Sequence, residues 1–412
     1  MTETEILERR AAARIYEHDG ETLVFDATVV GCEERGGGYE IRLDRTAFFP
    51  GGGGQNADAG VLHCGGEDIR VLARERGDEV VHTSERPIPV GSAVCGEVDA
   101  APRLSRMQNH TGEHIISGLA HRLFGCENRG FHMSENGDGT VQFVTVDTDR
   151  ELTEEAICDI ETASNESIMK NIPVVCRFPL TDELGSIAYR SKKALTGPVR
   201  LVGIDGVDLC ACCAPHFGRT GSVGALRIID SMRYKGGMRL TAVAGMSALR
   251  DERSKLGQLA LISRALSVKQ QEAAEGVLRL GRELEEEHRR AAALEEALSE
   301  RIVRESVTGV VFEPLFGPAA RKKTAQALAL RRGGIGAVFS GNDGSGYDYV
   351  VALPDGQSGL RAVGQELKRL GGGGGGSETL ISGRVKAGRA EILASGILAD
   401  AAVSYADKNR QE

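Results

Sequence analysis

Two pairs of metal-binding residue types, each spaced four residues apart, constrain how this chain can fold. His110 and His114 lie in QNHTGEHIISGLAH, and Cys212 and His216 lie in CACCAPHFGRTG. Segment 108–123 has apolar residues at helical spacing, which predicts a helix with both histidines on one face. Zinc accepts imidazole nitrogen and thiolate sulfur in a tetrahedron, so we predict one Zn²⁺ per chain bound by these four residues. The alternative, ordinary helix and loop residues, is less favoured because both pairs occur in one chain.

Length and composition set the frame for this site. A chain of 412 residues with 41% hydrophobic residues is expected to form several globular domains. No apolar run approaches the roughly 18 residues of a membrane span, and MTETEILERR lacks the apolar core of a signal peptide. Nine cysteines, scattered except for Cys210, Cys212 and Cys213, argue against a disulfide framework. We therefore predict a cytoplasmic protein with no membrane partner.

The charge is unevenly distributed along the chain. The net charge is −9, yet residues 306–412 carry 13 Lys/Arg against 10 Asp/Glu. A net negative charge argues against a nucleic-acid partner, but the net positive charge of this C-terminal part weakens the argument. Its basic clusters fit a solvated surface and a phosphate-binding surface equally well.

The chain is predicted to be an α+β multidomain protein with four parts. Residues 1–95 alternate apolar and polar residues in short runs between glycine clusters, which is typical of a small β-barrel or sandwich, and we predict a barrel. Residues 96–247 mix the histidine helix, a second helix at 153–171 and several strands, which indicates an α+β domain holding the zinc. Residues 306–412 resemble a compact α/β module.

The third part, residues 248–305, is strongly helical and charged. Its apolar residues follow a heptad pattern, interrupted by Glu287, which a coiled-coil dimer or an intramolecular helical hairpin would both satisfy. The heptad positions are Val277, Leu280, Leu284, Ala291, Leu294 and Leu298. A homodimer through the 270–302 helix and the C-terminal domain is therefore a prediction.

Two glycine-rich segments have different expected roles, one in binding a ligand and one in the fold. In FFPGGGGQNADAG, residues 48–60, four glycines let backbone N–H groups approach a phosphate or an ester closely, and Gln55 adds a directed amide. A mobile hairpin connection is the equal alternative. The six-glycine run 371–376 has the composition of a flexible linker, but it lies between a helix and further apolar segments inside one domain. We therefore predict that it belongs to the fold.

These motifs together carry a family resemblance. The glycine–Gln55 loop, the His110/His114 pair and the Cys212/His216 pair resemble the editing domain found in alanyl-tRNA synthetases and in free-standing AlaX-type deacylases, over most of residues 40–247. The six-glycine segment resembles the DHH-associated domain of long AlaX proteins. The chain is thus identified as similar to the long AlaX type.

This chain departs from the family pattern at two places, which affects the assignment of its metal ligands and of its RNA contacts. The family usually has Cys-Gly-Gly-Thr-His where this chain has Cys212-Cys213-Ala214-Pro215-His216. Cys210 and Cys213 therefore compete as ligands, although only Cys212 keeps the family spacing. The Gln that usually follows the C-terminal glycines is absent, so RNA contacts of that domain carry over only weakly.

The resemblance implies a trans-editing hydrolase that deacylates mischarged tRNA(Ala). Ser-tRNA(Ala) is the expected substrate and Gly-tRNA(Ala) a further one. A pocket that selects alanine for charging excludes neither serine nor glycine well, so both amino acids are attached to tRNA(Ala) by mistake. Thr46 and Gln55 match family positions that line the amino-acid pocket. Zinc would either activate water or position the substrate. Glu113 lies about 100° around the helix from His114, so the general base is left unassigned.

Three classes of function remain open at this stage. A zinc-dependent aminoacyl-tRNA deacylase is favoured. From the length of 412 residues we expect no aminoacylation domain, and the lack of an Asp-His-His sequence argues against a phosphodiesterase. The alternatives are a non-catalytic tRNA-binding or RNA-binding accessory protein with structural zinc, and a metal hydrolase acting on another ester.

Overall fold

The computed structural model describes residues 2–191 and 198–396, which divide into two compact units with the boundary after Leu259. The chain is an α+β multidomain protein, as predicted. Domain boundaries at 95, 247 and 305 stay predictions, and residues 397–412 of the predicted C-terminal domain lie outside the described part. Among the described helices, none is both long and apolar enough to cross a membrane.

The first unit opens with a helix and a closed barrel. Helix α1 (Glu3–Ala13) begins at Thr2, whose side chain accepts a hydrogen bond from the backbone N–H of Glu5 in a capping box. The barrel has the strand order β1-β2-β5-β4-β3-β6. Its strands are β1 (Val24–Arg35), β2 (Gly38–Leu43), β3 (Ala59–Cys64), β4 (Glu67–Arg76), β5 (Glu79–Ser84) and β6 (Ala93–Val98).

Sequence alternation explains why these strands close into a barrel. In β1 every second residue is buried, so Phe25, Ala27 and Val29 fill the interior while their neighbours face solvent. Closure leaves no free sheet edge for intermolecular pairing. The prediction of an N-terminal β-barrel is confirmed.

An α+β layer follows the barrel in the same unit. Its elements are α2 (Ala100–Phe124), β7 (Asn128–Glu135), β8 (Val141–Thr148), α3 (Glu154–Met169), β9 (Val174–Arg177), α4 (Thr181–Leu184), β10 (Leu201–Ile204), β11 (Asp208–Ala211), β12 (Leu226–Tyr234) and β13 (Gly237–Ala244). They form a four-stranded sheet, β12-β13-β8-β7, and a three-stranded sheet, β11-β10-β9. Ile115, Ile116 and Leu119 of α2 enter the shared apolar core.

Helix α2 is longer than the sequence predicts, starting eight residues earlier. Its first turn contains Pro102, which a helix tolerates there because the first backbone N–H groups have no partner within the helix. The added turns bury Arg103 and Arg106, charged residues that an apolar periodicity does not detect. Both arginines hold Asp58, at the end of the glycine loop, against the histidine helix.

The second unit is built on a mixed sheet with the order β14-β15-β16-β18-β17. Helix α5 (Met246–Leu266) includes the unit boundary, and the elements after it are α6 (Ala273–Glu305), β14 (Val310–Phe312), α7 (Pro318–Arg332), β15 (Gly336–Asn342), β16 (Gly346–Ala352), α8 (Leu360–Arg369), β17 (Gly373–Gly376), β18 (Leu380–Val385) and α9 (Arg389–Ala394). Strands β14 and β15 are parallel, and the other pairs are antiparallel.

The six-glycine run is part of this sheet. Four of its glycines form the exposed edge strand β17, paired with β18. A Cβ atom at Gly374 would lie 2.2 Å from the carbonyl oxygen of Ser382, so the close approach of the two strands requires glycine there. The prediction that this run belongs to the fold is confirmed.

Candidate metal centre

The fold brings the two predicted ligand pairs together. His110 and His114 lie in the buried middle of α2, while Cys212 and His216 lie in the segment after β11. Their four ligand atoms all lie within 4.8 Å of one another. Sγ of Cys212 is 3.6 Å from Nε2 of His110 and 3.4 Å from Nε2 of His216. Three imidazoles and one thiol therefore converge on one point.

The donor set fits zinc. A tetrahedron with ligand distances of roughly 2.0 to 2.3 Å has edges of about 3.3 to 3.8 Å between ligand atoms. Both measured sulfur–nitrogen separations fall in that range. Zinc is a borderline-soft ion and therefore suits a mixed set of three nitrogens and one sulfur. A site made only of oxygen ligands would favour a harder ion such as magnesium or calcium.

Each imidazole is oriented by a contact on its outer nitrogen. Nδ1 of His110 donates to Oε1 of Gln55 over 2.9 Å. Nδ1 of His114 lies 3.2 Å from Oδ2 of Asp208, and Nδ1 of His216 lies 3.0 Å from Oγ1 of Thr111. An imidazole whose Nδ1–H points outward carries its lone pair on Nε2, the nitrogen that faces the cluster. These outer contacts thus prepare all three rings for a metal.

The thiol is placed to ionise. Burial alone would raise the pKa of Cys212, but the neighbouring imidazoles, that of His110 first, outweigh it and hold this pKa well below its usual range. Burial lowers the pKa of His216 to about 3, so this ring is neutral at physiological pH. A thiolate beside a neutral imidazole is the protonation state that zinc needs.

The structure separates the three neighbouring cysteines. Cys212 lies with the three histidines, whereas Cys210 belongs to a separate group with His114 and Asp208. Burial raises the pKa of Cys210 and raises that of Cys213 to about 11, so neither thiol is favoured as a thiolate. The geometry favours Cys212 over its two competitors.

A buried arginine holds the ligand segment in place. Arg200 is 5% exposed, and it donates to the carbonyl oxygens of Cys212 and Ala214, over 2.9 and 2.8 Å. Its Nε donates to the carbonyl oxygen of Glu17 over 2.7 Å. One guanidinium therefore fixes the backbone that carries Cys212 to a short helical turn, Ile15–Glu17, that follows α1.

The glycine loop places Gln55 beside the cluster. Gln55 is 3% exposed, and with Oε1 bound to His110 its Nε2 is a buried donor that finds no hydrogen-bond partner among the described residues. Gly54 has a φ of +88°, and a Cβ atom there would lie 2.7 Å from Phe131. The Phe131 ring in turn stacks on His110, with centroids 4.9 Å apart. The loop, Phe131 and the metal helix form one packed assembly.

Thr46 occupies a different environment from Gln55. Burial lowers the pKa of His82 to about 4, so this ring is neutral, and its Nδ1 donates to the Ile41 carbonyl oxygen. Thr46 Oγ1 therefore donates to Nε2 of His82 over 2.9 Å and accepts from the Phe48 N–H over 3.1 Å. Its hydroxyl is satisfied inside the barrel, and its role in substrate recognition stays a prediction.

Glu113 is buried between α2 and β7. Its Oε1 accepts from Oγ of Ser117 over 2.6 Å and from Nδ2 of Asn128 over 2.5 Å. It is not among the described residues that line the cavity beside the cluster, which is consistent with leaving the general base unassigned.

A cavity of about 550 Å³ opens beside the cluster, within the range of roughly 300 to 1,000 Å³ that small-molecule sites occupy. The described residues that line it combine ligands, loop glycines, aromatic rings and three arginines. They include His110, His114, Cys212, Gly53, Gly54, Phe131, Phe178, Arg10, Arg129 and Arg200. A molecule in this cavity would therefore reach the metal ligands from a cationic, partly aromatic surface.

A buried cluster of three histidines and one cysteine in an α+β domain defines a candidate metal centre of the zinc type, and comparison with known proteins gives it a context. Residues 199–247, which contain Cys212 and His216, match the family described as the threonyl and alanyl tRNA synthetase second additional domain. The chain is also similar to alanine–tRNA ligases. That of Halobacterium salinarum is 29% identical over 356 residues, which is 83% of this chain and 38% of the ligase.

Two further ligases extend this similarity. That of Methanothermobacter thermautotrophicus is 32% identical over 60% of this chain, and that of Methanothrix thermoacetophila is 28% identical over 87%. The chain spans about two fifths or less of the length of these relatives, with 28% and 41% of the last two covered. It is thus related to a part of the alanyl-tRNA synthetases.

Sequence reasoning missed the residues that orient the ligands. Asp208, Arg200 and Thr111 were not predicted as site residues, and neither was Arg190, whose Nε donates to Oδ1 of Asp208 over 2.8 Å. The sequence does contain one indication of these residues, which is the position of two charges next to short apolar strands. Arg200 and Asp208 each border a short apolar strand, where a charge is buried only if it has partners.

Proposed function

We propose that this chain is a trans-editing protein of the long AlaX type that hydrolyses the ester bond of mischarged tRNA(Ala). Ser-tRNA(Ala) is the first substrate and Gly-tRNA(Ala) the second. The observation that carries the proposal is the direct contact of Gln55 with the metal ligand His110. This contact places a buried amide donor, which has no partner among the described residues, beside the candidate metal centre and next to Gly53 and Gly54 of the cavity lining.

The chemistry follows from the residues around the cavity. Hydrolysis adds water across the ester, releasing the amino acid and restoring the ribose hydroxyl. When bound by His110, His114, Cys212 and His216, zinc would supply Lewis-acid polarisation or fix the substrate's position. Gln55 holds His110 through Oε1 and has Nε2 left to donate to the substrate. Packing of Phe131 on His110 keeps water from that side of the ring.

Selectivity for serine over alanine requires a polar group that only serine satisfies. A buried donor or acceptor left unpaired costs about 1 to 3 kcal/mol, so a site that pairs with the serine hydroxyl disfavours alanine. The unpaired Nε2 of Gln55 supplies such a group. This supports Gln55 as a serine-sensing residue, and the resemblance adds Thr46.

The decisive experiment presents the purified protein with preformed Ser-tRNA(Ala), Gly-tRNA(Ala) and Ala-tRNA(Ala). We expect about one zinc per chain and hydrolysis of the serine ester well above the alanine ester. A His110→Ala/His114→Ala variant should lose both zinc and hydrolysis, while Cys210→Ala should keep both. Full zinc occupancy in the double variant, or hydrolysis of all three esters at one rate, would contradict the proposal.

A second candidate function has its own observation. Four protein ligands complete a tetrahedron, which is typical of structural zinc sites. The chain would then be a tRNA-binding or RNA-binding accessory protein without catalysis. Zinc removal separates the two functions: a catalytic or substrate-positioning ion is needed for hydrolysis, whereas a purely structural one supports only folding and tRNA binding.

Compartment and assembly complete the proposal. All nine cysteines are free thiols, which supports a reducing cytoplasm. Mischarged tRNA(Ala) is the proposed partner, and a homodimer through the 270–302 helix and the C-terminal domain is the proposed assembly.

A further inference from the structure

The lining of the cavity beside the metal centre carries an unusual charge for this acidic chain. Among its described residues, Arg10, Arg129 and Arg200 contribute three cations and Glu17 the single carboxylate. Glu17 is 2% exposed and already paired, because Arg10 donates to it through Nη2 over 2.6 Å and through Nε over 2.9 Å. The three arginine charges of the described lining therefore exceed the negative charges of Glu17 and of a Cys212 thiolate together.

Two of these arginines have donors to spare. Glu17 takes the Nε and Nη2 edge of Arg10, and Nη1 has no hydrogen bond to any other described residue. The side chain of Arg129 is 69% exposed, and its ion pair with Asp149 is loose at 3.8 Å. Asp149 accepts instead from the backbone N–H of Glu127 over 2.8 Å. Both guanidinium groups can therefore receive an anion without breaking a strong contact.

Arg10 is also held in position without being buried in the core. Helix α1 buries none of its residues, and its Arg10 guanidinium lies 5.4 Å from the centre of the Phe178 ring, another residue of the cavity lining. The salt bridge to Glu17 and this ring contact fix the guanidinium at the cavity wall. A preorganised arginine loses little conformational freedom on binding an anion.

We propose that Arg10 and Arg129 form a phosphate subsite for the phosphodiester on the 5′ side of the terminal nucleoside of the substrate. This inference rests on the proposed function, since it assigns the part of the tRNA end that enters the cavity. Arginine suits phosphate because its planar fork donates in pairs to phosphate oxygens. The ester then reaches the metal ligands from a fixed phosphate, so binding energy from the nucleotide orients the reacting bond.

The test compares two serine esters, one of which carries a phosphodiester and a further nucleoside on the 5′ side of its adenosine. Seryl-adenosine carries the ester alone, and the seryl ester of the dinucleotide cytidylyl-adenosine adds the phosphodiester. We expect Arg129→Gln to lower kcat/KM on the dinucleotide ester about tenfold and to leave it unchanged on seryl-adenosine. Arg10→Lys, which keeps a charge for Glu17, should give a smaller loss in the same direction. Arg150→Gln is the matched control, because Arg150 also faces Asp149, at 3.5 Å, but does not line the cavity.

A second measurement removes hydrolysis from the test. Adenosine 5′-monophosphate carries its phosphate where the substrate's phosphodiester would lie, so it should bind the full-length wild-type chain more tightly than adenosine does. Arg129→Gln should abolish that difference. Equal loss on both esters, or no loss on either, would overturn the phosphate subsite. Phosphate-dependent binding without hydrolysis of either ester would keep the anion site and overturn the deacylase instead.

Discussion

At His114, a carboxylate determines which ring nitrogen faces the other ligands. Asp208 is buried between His114 and Arg190, and these two partners lower its pKa in spite of its burial. Its negative charge stabilises Nδ1–H of His114 and so keeps Nε2 available. The first prediction is that Asp208→Asn weakens zinc binding about 10- to 100-fold, as changes to outer partners of metal-bound histidines do.

This loss is measured by competition with a chelator on the folded protein. Asp205→Asn is the matched control, since Asp205 lies exposed in the turn between β10 and β11. Unchanged zinc affinity in Asp208→Asn, with Asp205→Asn as reference, would show that the orientation of His114 does not depend on Asp208.

Thr46 has two possible roles, and one substitution separates them. Thr46→Val keeps the side-chain shape but leaves Nε2 of His82 and the Phe48 N–H without their partner. We expect a loss of about 1 to 3 kcal/mol in the free energy of unfolding. If Thr46 also senses the substrate hydroxyl, the ratio of kcat/KM for Ser-tRNA(Ala) to Ala-tRNA(Ala) falls roughly ten- to a hundredfold.

Both quantities are measured on the same zinc-loaded variant, by urea denaturation and by deacylation. A stability loss with an unchanged ratio would assign Thr46 to the barrel core and leave Gln55 as the residue that senses serine. Equal stability of variant and wild type would contradict the buried hydrogen bonds described here.

At the scale of the element, the glycine loop couples the barrel to the metal helix. Gly54 and Gly66 have φ values of +88° and +85°, so alanine is similarly strained at either position. Only at Gly54 would the added Cβ atom meet a neighbour, Phe131 at 2.7 Å, whereas Gly66 has open space. We predict that Gly54→Ala displaces Phe131 from His110 and lowers kcat more than tenfold.

The matched variant Gly66→Ala should lose about 1 kcal/mol of stability and retain its activity. The measurement is kcat on Ser-tRNA(Ala) together with the free energy of unfolding for each variant. Equal activity in the two variants would mean that Phe131 and the loop can shift without disturbing His110.

Helix α6 presents a second element-scale question, because its apolar heptad positions from Val277 to Leu294 remain at the surface of the described chain, whereas Leu298 packs against the core of the second unit. Val277, Leu280, Leu284 and Leu294 are each more than half exposed. An exposed apolar seam, even one interrupted by Glu287, is stabilised in water by pairing with another helix. We predict that the full-length protein is a dimer and that Leu284→Glu shifts it to monomer.

Sedimentation equilibrium of wild type and Leu284→Glu gives the dissociation constant directly. The control is Glu286→Gln, a surface change on the same helix outside the heptad core, which should leave the dimer intact. A wild-type monomer at all accessible concentrations would refute the seam as a dimer interface.

At the scale of the whole molecule, the sequence predicts elements and ligands better than it predicts what supports them. The barrel follows from two-residue alternation in segments such as β1, and the metal set follows from residue type and spacing. Helix α2 was predicted too short, because its first turns bury Arg103 and Arg106, which break the apolar period. The orienting role of Asp208 depends on β11 meeting α2, a long-range contact that no local pattern contains.

The distribution of charge leads to the last prediction, which concerns tRNA binding by the whole chain. Within the described part of the second unit, Lys322, Arg331, Lys368 and Lys386 are exposed and form no salt bridge, so they are available to phosphates. Each phosphate contact contributes about 0.7 to 0.9 to the slope of log binding constant against log salt concentration. A chain ending at Leu259, the limit of the first unit, should bind tRNA(Ala) more weakly, with a slope smaller by about 3. It should still hydrolyse the seryl dinucleotide ester, because all four metal ligands lie in the first unit.

The full-length variant Lys322→Gln/Lys368→Gln/Lys386→Gln tests the same idea without truncation, and its slope should fall by about 2. The same affinity and slope in all three proteins would remove the second unit from tRNA binding.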